Sequence, residues 1–296
     1  MDEDAWFKGI HACLDRLEFE RRYSPHTLKA YQRDLEHLRV FAQAEGFGSP
    51  AQMTAEAARR FVGSLARTGY NGRSMARALS AARTLYRELG LPAHPFRGVK
   101  APHADRSLPH DLSVDELSGL LRKAPVTPLE IRDFAMVEML YGAGLRLAEL
   151  VGLRLRDIDL SQGLLRVIGK GRRERLVPMG RAAMAALKAY LPLRTPSDPL
   201  GPVFLGAKGR PLTPRAIQKR LALFAVARGL SVPLHPHMLR HSFASHILQS
   251  SQDLRAVQEL LGHAHLSTTQ IYTHLDFQQL ARVYDAAHPR ARRKPP

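Results

Sequence analysis

Leu164-Leu165-Arg166-Val167-Ile168, then Gly169-Lys170-Gly171, then Arg175-Leu176-Val177-Pro178 form the one β region legible in this sequence. Two short aliphatic runs bounded by a glycine-rich turn predict an antiparallel hairpin with Lys170 at its tip. Everything around it has helical spacing. The expected fold class is therefore mainly α with one small antiparallel sheet, an α+β arrangement confined to the second half of the chain.

Outward from the hairpin, helix starts are read from local chemistry. Toward the N-terminus, Ser113 and Glu116 form a capping box, with Leu112 and Leu117 as a hydrophobic staple. Thr127-Pro128-Leu129-Glu130 repeats the pattern and opens a helix that should end at Gly142 to Gly144. Toward the C-terminus, helices should resume near Arg181, Pro214, Pro236 and Leu254. Farther out, Phe277, Leu280, Ala281 and Tyr284 predict a last helix with a narrow apolar stripe.

Residues 1–90 read as helices alone. Trp6, Phe7, Ile10, Cys13, Leu14 and Leu17 recur at helical spacing, and Ser24-Pro25 starts a second helix that stops near Gly46. A third should run from Thr54 to Arg67. In the fourth, Arg73 to Leu89, Met75, Leu79, Ala82, Tyr86 and Leu89 fall on one side. Arg73, Arg77, Ser80, Arg83 and Arg87 fall on the other, where Glu88 is the one acidic residue of the stretch. Such an unmixed basic face predicts contact with DNA phosphates. Pro92, Pro95, Pro102 and Pro109 then interrupt any periodicity. The expected division is a helical DNA-binding domain at 1–90, a linker at 91–106 and a catalytic domain at 107–296.

Charge points the same way. Lys and Arg number 44 against 27 Asp and Glu, which leaves 44 − 27 = +17 over 296 residues. A surplus spread along the chain suits a polyanion, since each phosphate neutralised releases condensed counterions. A single cysteine, Cys13, excludes an internal disulfide framework and any multi-cysteine metal site. There are 14 histidines, several clustered in the second half, but there is no His-Glu-x-x-His and the local neighbours there are basic, so neither a metal nor another cofactor is expected. No apolar run is long enough to span a membrane, and the acidic start is unlike a signal peptide, so the expected location is the cytoplasm.

Six polar residues carry the chemistry. Arg146 follows Gly142-Ala143-Gly144 and precedes Glu149 by three residues, so an arginine exposed at a helix start can fork onto a phosphate. Lys170 sits at the hairpin tip. In His235-Pro236-His237-Met238-Leu239-Arg240-His241, His237 and Arg240 share a helical face. His263 follows the helix-ending Gly262, and Ser267 with Gln270 caps a short helix ending at Tyr272. Phosphoryl transfer needs a nucleophile, cations on the phosphate oxygens and a proton for the leaving oxygen, and this set supplies each.

Arg146, Lys170, His237, Arg240, His263 and Tyr272 follow, in order, the signature Arg…Lys…His-x-x-Arg…His…Tyr. The chain thereby resembles the tyrosine recombinase (lambda integrase-like) family. Gln258-Glu259-Leu260-Leu261-Gly262-His263 and Tyr284-Asp285-Ala286-Ala287-His288-Pro289-Arg290 are similar to the XerC branch. The resemblance implies attack by Tyr272 on a DNA phosphate and stabilisation of that phosphate by Arg146 and Arg240. It gives Lys170 as acid for the leaving oxygen, His237 as proton acceptor and His263 as a phosphate ligand. It further implies a dif-like DNA site, a XerD-like partner in a heterotetramer linked by C-terminal exchange helices, and a septal FtsK-like translocase as regulator. The task implied is resolution of chromosome dimers, and of plasmid multimers, at cell division. A phage or integron integrase is the nearer alternative, and an architectural DNA-binding protein would need a broken catalytic set.

Overall fold

The computed structural model describes residues 4–102, 111–169, 174–194, 198, 200–206, 208–261, 283, 284 and 286–290. They fall into two compact units, Met1–Ser107 and Leu108–Pro296, each with its own apolar core.

The first unit is four helices, α1 (Ala5–Phe19), α2 (Pro25–Ala44), α3 (Ala55–Arg67) and α4 (Gly72–Glu88). Each start has a side-chain cap: Asp4, Ser24, Thr54 and Asn71 each accept a hydrogen bond from a backbone N–H of the first turn. That satisfies donors the helix itself cannot. Trp6 anchors the core, and its indole Nε1–H donates to the Phe47 carbonyl at 2.9 Å. Phe96 and Val99 are buried in the same core, with Leu91 and Ala101 packed against it. The stretch read as a linker is thus held to the helices over 91–101. Full burial of a phenylalanine contributes roughly 1.5–3 kcal/mol, and the prolines around it do not oppose that burial because the stretch is not helical.

The second unit is built around α6 (Pro128–Gly142), buried on nearly every side. It packs against α7 (Leu147–Gly152), α8 (Arg181–Tyr190), α9 (Pro214–Ala227) and α10 (Pro236–Ser251). Alongside run α5 (Val114–Arg122) and α11 (Leu254–Leu261). The capping boxes at Ser113/Glu116 and Thr127/Glu130 are both formed.

A three-stranded antiparallel sheet, ordered β1-β2-β3, comprises β1 (Ile158–Asp159), β2 (Leu164–Ile168) and β3 (Glu174–Pro178). In the β2–β3 register, Leu165 faces Val177 and Val167 faces Arg175. The two-residue β1 was not expected, because so short a strand carries no periodicity.

Of the C-terminal stripe, Tyr284 lies among the described residues and is buried in this unit, whereas Phe277, Leu280 and Ala281 lie outside them. The Tyr284 hydroxyl donates to the Gly142 carbonyl, His288 stacks on its ring, and Arg290 pairs with the buried Glu138. Tyr284, His288 and Arg290 therefore pack on their own catalytic unit.

Candidate active site

The turn between α6 and α7 sets the first arginine. Gly144 has φ +57°, and a Cβ there would stand 2.6 Å from the Phe243 ring on α10, so only glycine fits. Two residues on, Arg146 is the N-cap of α7. Its backbone N–H donates to Glu149 Oε2 at 2.8 Å and its Nη1 donates to Oε1 at 3.0 Å. The Arg146 side chain is 40% exposed while that of Glu149 is 2% exposed. This is no surface ion pair: a buried carboxylate orients a guanidinium whose other edge faces solvent.

Glu149 has a second partner. Arg175, on β3, spans both its carboxylate oxygens, Nη1 to Oε1 at 2.7 Å and Nη2 to Oε2 at 3.0 Å. Arg240, on α10, stands 3.9 Å from the same carboxylate. It donates through Nη1 to the Gly144 carbonyl and through Nη2 to the Leu261 carbonyl, the latter at 2.6 Å. Burial, with Arg146 next in importance, pulls Arg240 down to about 10, so it stays cationic at neutral pH. Burial pushes the Glu149 carboxyl up, but its hydrogen bonds, that from Arg175 foremost, hold it below the usual range. Three guanidiniums therefore surround one carboxylate, leaving two positive charges in a partly buried site. Such a surplus is stabilised by a bound anion, and planar forks match phosphate.

His237 lies exposed in the first turn of α10, three residues before Arg240. Lys170, His263 and Tyr272 lie outside the described residues. Arg175 was missed in the sequence because it reads as a plain strand residue. Its signal was available in the hairpin alternation: it shares a strand face with Val177 and sits opposite the buried Val167, and a charge on an inward face needs a buried counter-charge.

On α4 the basic face is not uniform. Arg73 and Arg87 are exposed. Arg77 is fixed on the buried Asp34 through two hydrogen bonds of 2.7 and 3.0 Å. Arg83 donates to the carbonyls of Phe96 and Val99. Two of the four arginines thus hold the unit together as well as lining its surface.

Known proteins match over most of the chain. Residues 110–279 match the phage integrase family, and residues 10–90 match the phage integrase N-terminal SAM-like domain. A tyrosine recombinase XerC of Pseudomonas aeruginosa is 52% identical over 291 residues, 96% of each chain. One from Xanthomonas campestris pv. campestris is 48% identical, covering 98% of this chain and 91% of its own. Among solved structures, XerH recombinase in a post-cleavage complex with palindromic difH substrate superposes with a TM-score of 0.67 at 24% identity, over 90% of this chain and 81% of that one. The Tn1549 transposon integrase in complex with a circular intermediate DNA reaches 0.70 at 16% identity, over 93% and 98%. These two likenesses bear on the fold.

Proposed function

This chain belongs to the tyrosine recombinase family, in its XerC branch, and is a site-specific DNA recombinase; on that footing we propose how its residues divide the work. The Tyr272 hydroxyl attacks the scissile phosphorus as the bond to the 5′-oxygen breaks, leaving a 3′-phosphotyrosyl link. Arg146 and Arg240 hold the non-bridging oxygens, and His263 adds a hydrogen bond to them. His237 takes the proton from Tyr272, and Lys170 gives one to the 5′-oxygen. The 5′-hydroxyl of another strand then reverses the step, so the phosphoester energy is conserved and no ATP is consumed. The observation that carries this reading is the buried Glu149 carboxylate among three guanidiniums, a site with charge to spare for one phosphate.

Residues 1–90 bind the core DNA and residues 107–296 carry the chemistry. The substrate is a dif-like site, shared with a XerD-like recombinase in a heterotetramer and regulated by a septal FtsK-like translocase in the cytoplasm. There the C-terminal segment, seated at home through Tyr284 in the free chain, moves to the neighbouring protomer as an exchange helix. Resolved products are chromosome monomers, and the same step serves plasmid multimers. A plasmid carrying two directly repeated dif-like sites tests this. With both recombinases it should be converted to two circles. Persistence of the single circle, whichever protein is added first, would refute the assignment.

The first unit has its own test. Arg73→Ala with Arg87→Ala should flatten the slope of log K against log salt by about 0.9 for each phosphate left without its arginine, and the unit should stay folded. Arg77→Ala should behave differently. It strips the buried Asp34 of its close ion pair, leaving it the Tyr70 hydroxyl at 3.3 Å and the exposed Arg33 at 4.0 Å. That change should lower stability by about 2 kcal/mol or more.

A further inference from the structure

We infer that Arg175 is a positioning residue of the recombination reaction: by neutralising Glu149 across both oxygens, it leaves the charge of Arg146 and Arg240 uncompensated for the phosphate and references the β2–β3 hairpin to them. The inference rests on the proposed reading of Arg146 and Arg240 as phosphate ligands.

Charge arithmetic leads to it. Glu149 lies within ion-pair distance of Arg146, Arg175 and Arg240, at 3.0, 2.7 and 3.9 Å. Arg146 shares Oε1 through one Nη, but Arg175 is the guanidinium that bonds both oxygens, so the carboxylate charge is met mainly by Arg175. Without Arg175 the buried carboxylate would draw in Arg146 and Arg240, the groups meant to meet the phosphate. Glu149 would then be a competitor of the substrate rather than a rest for Arg146.

Geometry adds the second part. Arg175 is the second residue of β3, paired with Val167 of β2, so it sits at the loop end of the hairpin, two pairs in from the stretch 169–173 whose sequence carries Lys170. Through Glu149 it ties that end of the hairpin to the N-cap of α7, the residue Arg146 itself. One bidentate bridge thereby fixes the distance between the strand leading from the leaving-group acid and the helix that presents the phosphate clamp. The bridge is not tuned for stability alone. Arg175 Nε is buried with no hydrogen-bond partner among the described residues, a cost that a purely structural pair would avoid.

The test uses the full-length protein on a nicked duplex that traps the covalent adduct, read as the single-turnover cleavage rate at saturating DNA. Arg175→Gln should slow cleavage roughly 10- to 100-fold, the cost of a small misplacement of reacting groups. The half-site Kd should stay within about twofold and the salt slope unchanged, because a residue that touches no phosphate contributes nothing to it. The variant carrying Glu149→Gln together with Arg175→Gln should be no slower than the slower single variant, since both changes break one bridge. If Arg175→Gln fails to fold, Arg175→Lys takes its place. Lysine keeps the charge but cannot span two oxygens, and a several-fold loss is expected. A folded variant that cleaves at the wild-type rate overturns the inference, and so do losses that multiply in the double variant or a salt slope that falls by about 0.9. If the wild-type protein itself forms no adduct, the phosphate-site reading fails first and removes the inference with it.

Discussion

Arg240→Ala is expected to slow strand cleavage by roughly 1,000-fold while DNA binding weakens by no more than the share of a single phosphate. The asymmetry follows from what Arg240 touches. Its guanidinium holds the carbonyl of Gly144, at the turn that delivers Arg146, and the carbonyl of Leu261, at the end of α11. Its loss therefore removes a cation from the phosphate, loosens the Arg146 turn and frees the start of the segment that leads to Tyr272. Arg240→Lys should recover little, because an ammonium cannot bond two carbonyls in fixed directions and face an anion as well. The measurement is a single-turnover cleavage rate beside a half-site gel-shift titration. Equal losses in rate and affinity would make Arg240 a simple binding residue.

Stability should fall as the solution is acidified below about pH 6.5, and His288 should be a main cause. The ring is enclosed by Tyr141, Phe243 and Tyr284, with Arg290, His246 and the Glu138–Arg290 pair as its charged surroundings. Burial pulls its pKa down from 6.5 to about 3. A base with a depressed folded pKa is neutral in both states above 6.5, so the full stability is present there. Below 6.5 the unfolded chain takes up a proton that the folded one refuses, and stability is lost progressively until about 3. At about pH 5 the loss reaches about 2 kcal/mol. His246, also pulled down by burial, adds in the same direction. His288→Phe keeps a ring in the stack and does not titrate, so urea unfolding of that variant should show a shallower dependence between about pH 7 and 5. An unchanged slope would place the acid lability elsewhere.

Most of the helical frame was legible because capping is local chemistry. Ser24-Pro25, Ser113 with Glu116, Thr127 with Glu130, Pro214 and Pro236 each announce a helix start within four residues, and each is one. What the sequence hid depends on distant partners. A helical wheel puts Arg77 and Arg83 on the solvent side of α4, but it cannot see Asp34 on α2 or the carbonyls of Phe96 and Val99. Proline spacing marked 91–106 as a tether, whereas the burial of Phe96 belongs to a core assembled from four helices. At the site, the motif named Arg146 and Arg240, and the structure shows both beside one buried carboxylate. Glu149 stands three residues from Arg146 in the sequence, and nothing local distinguishes a buried i,i+3 pair from an exposed one. The alternation of β3 turns Arg175 to the inward face, but that it joins Glu149 across 26 residues of sequence is out of reach of any periodicity.

Tyr272 is the proposed nucleophile and so the residue that should carry the DNA. Wild-type protein and Tyr272→Phe are incubated with the same nicked dif-like duplex, labelled on the strand to be cut, and resolved under denaturing conditions. A covalent protein–DNA band is expected for the wild type and none for Tyr272→Phe, with equal gel-shift affinity for the two. A covalent band that persists in Tyr272→Phe would contradict it and move the nucleophile to another residue.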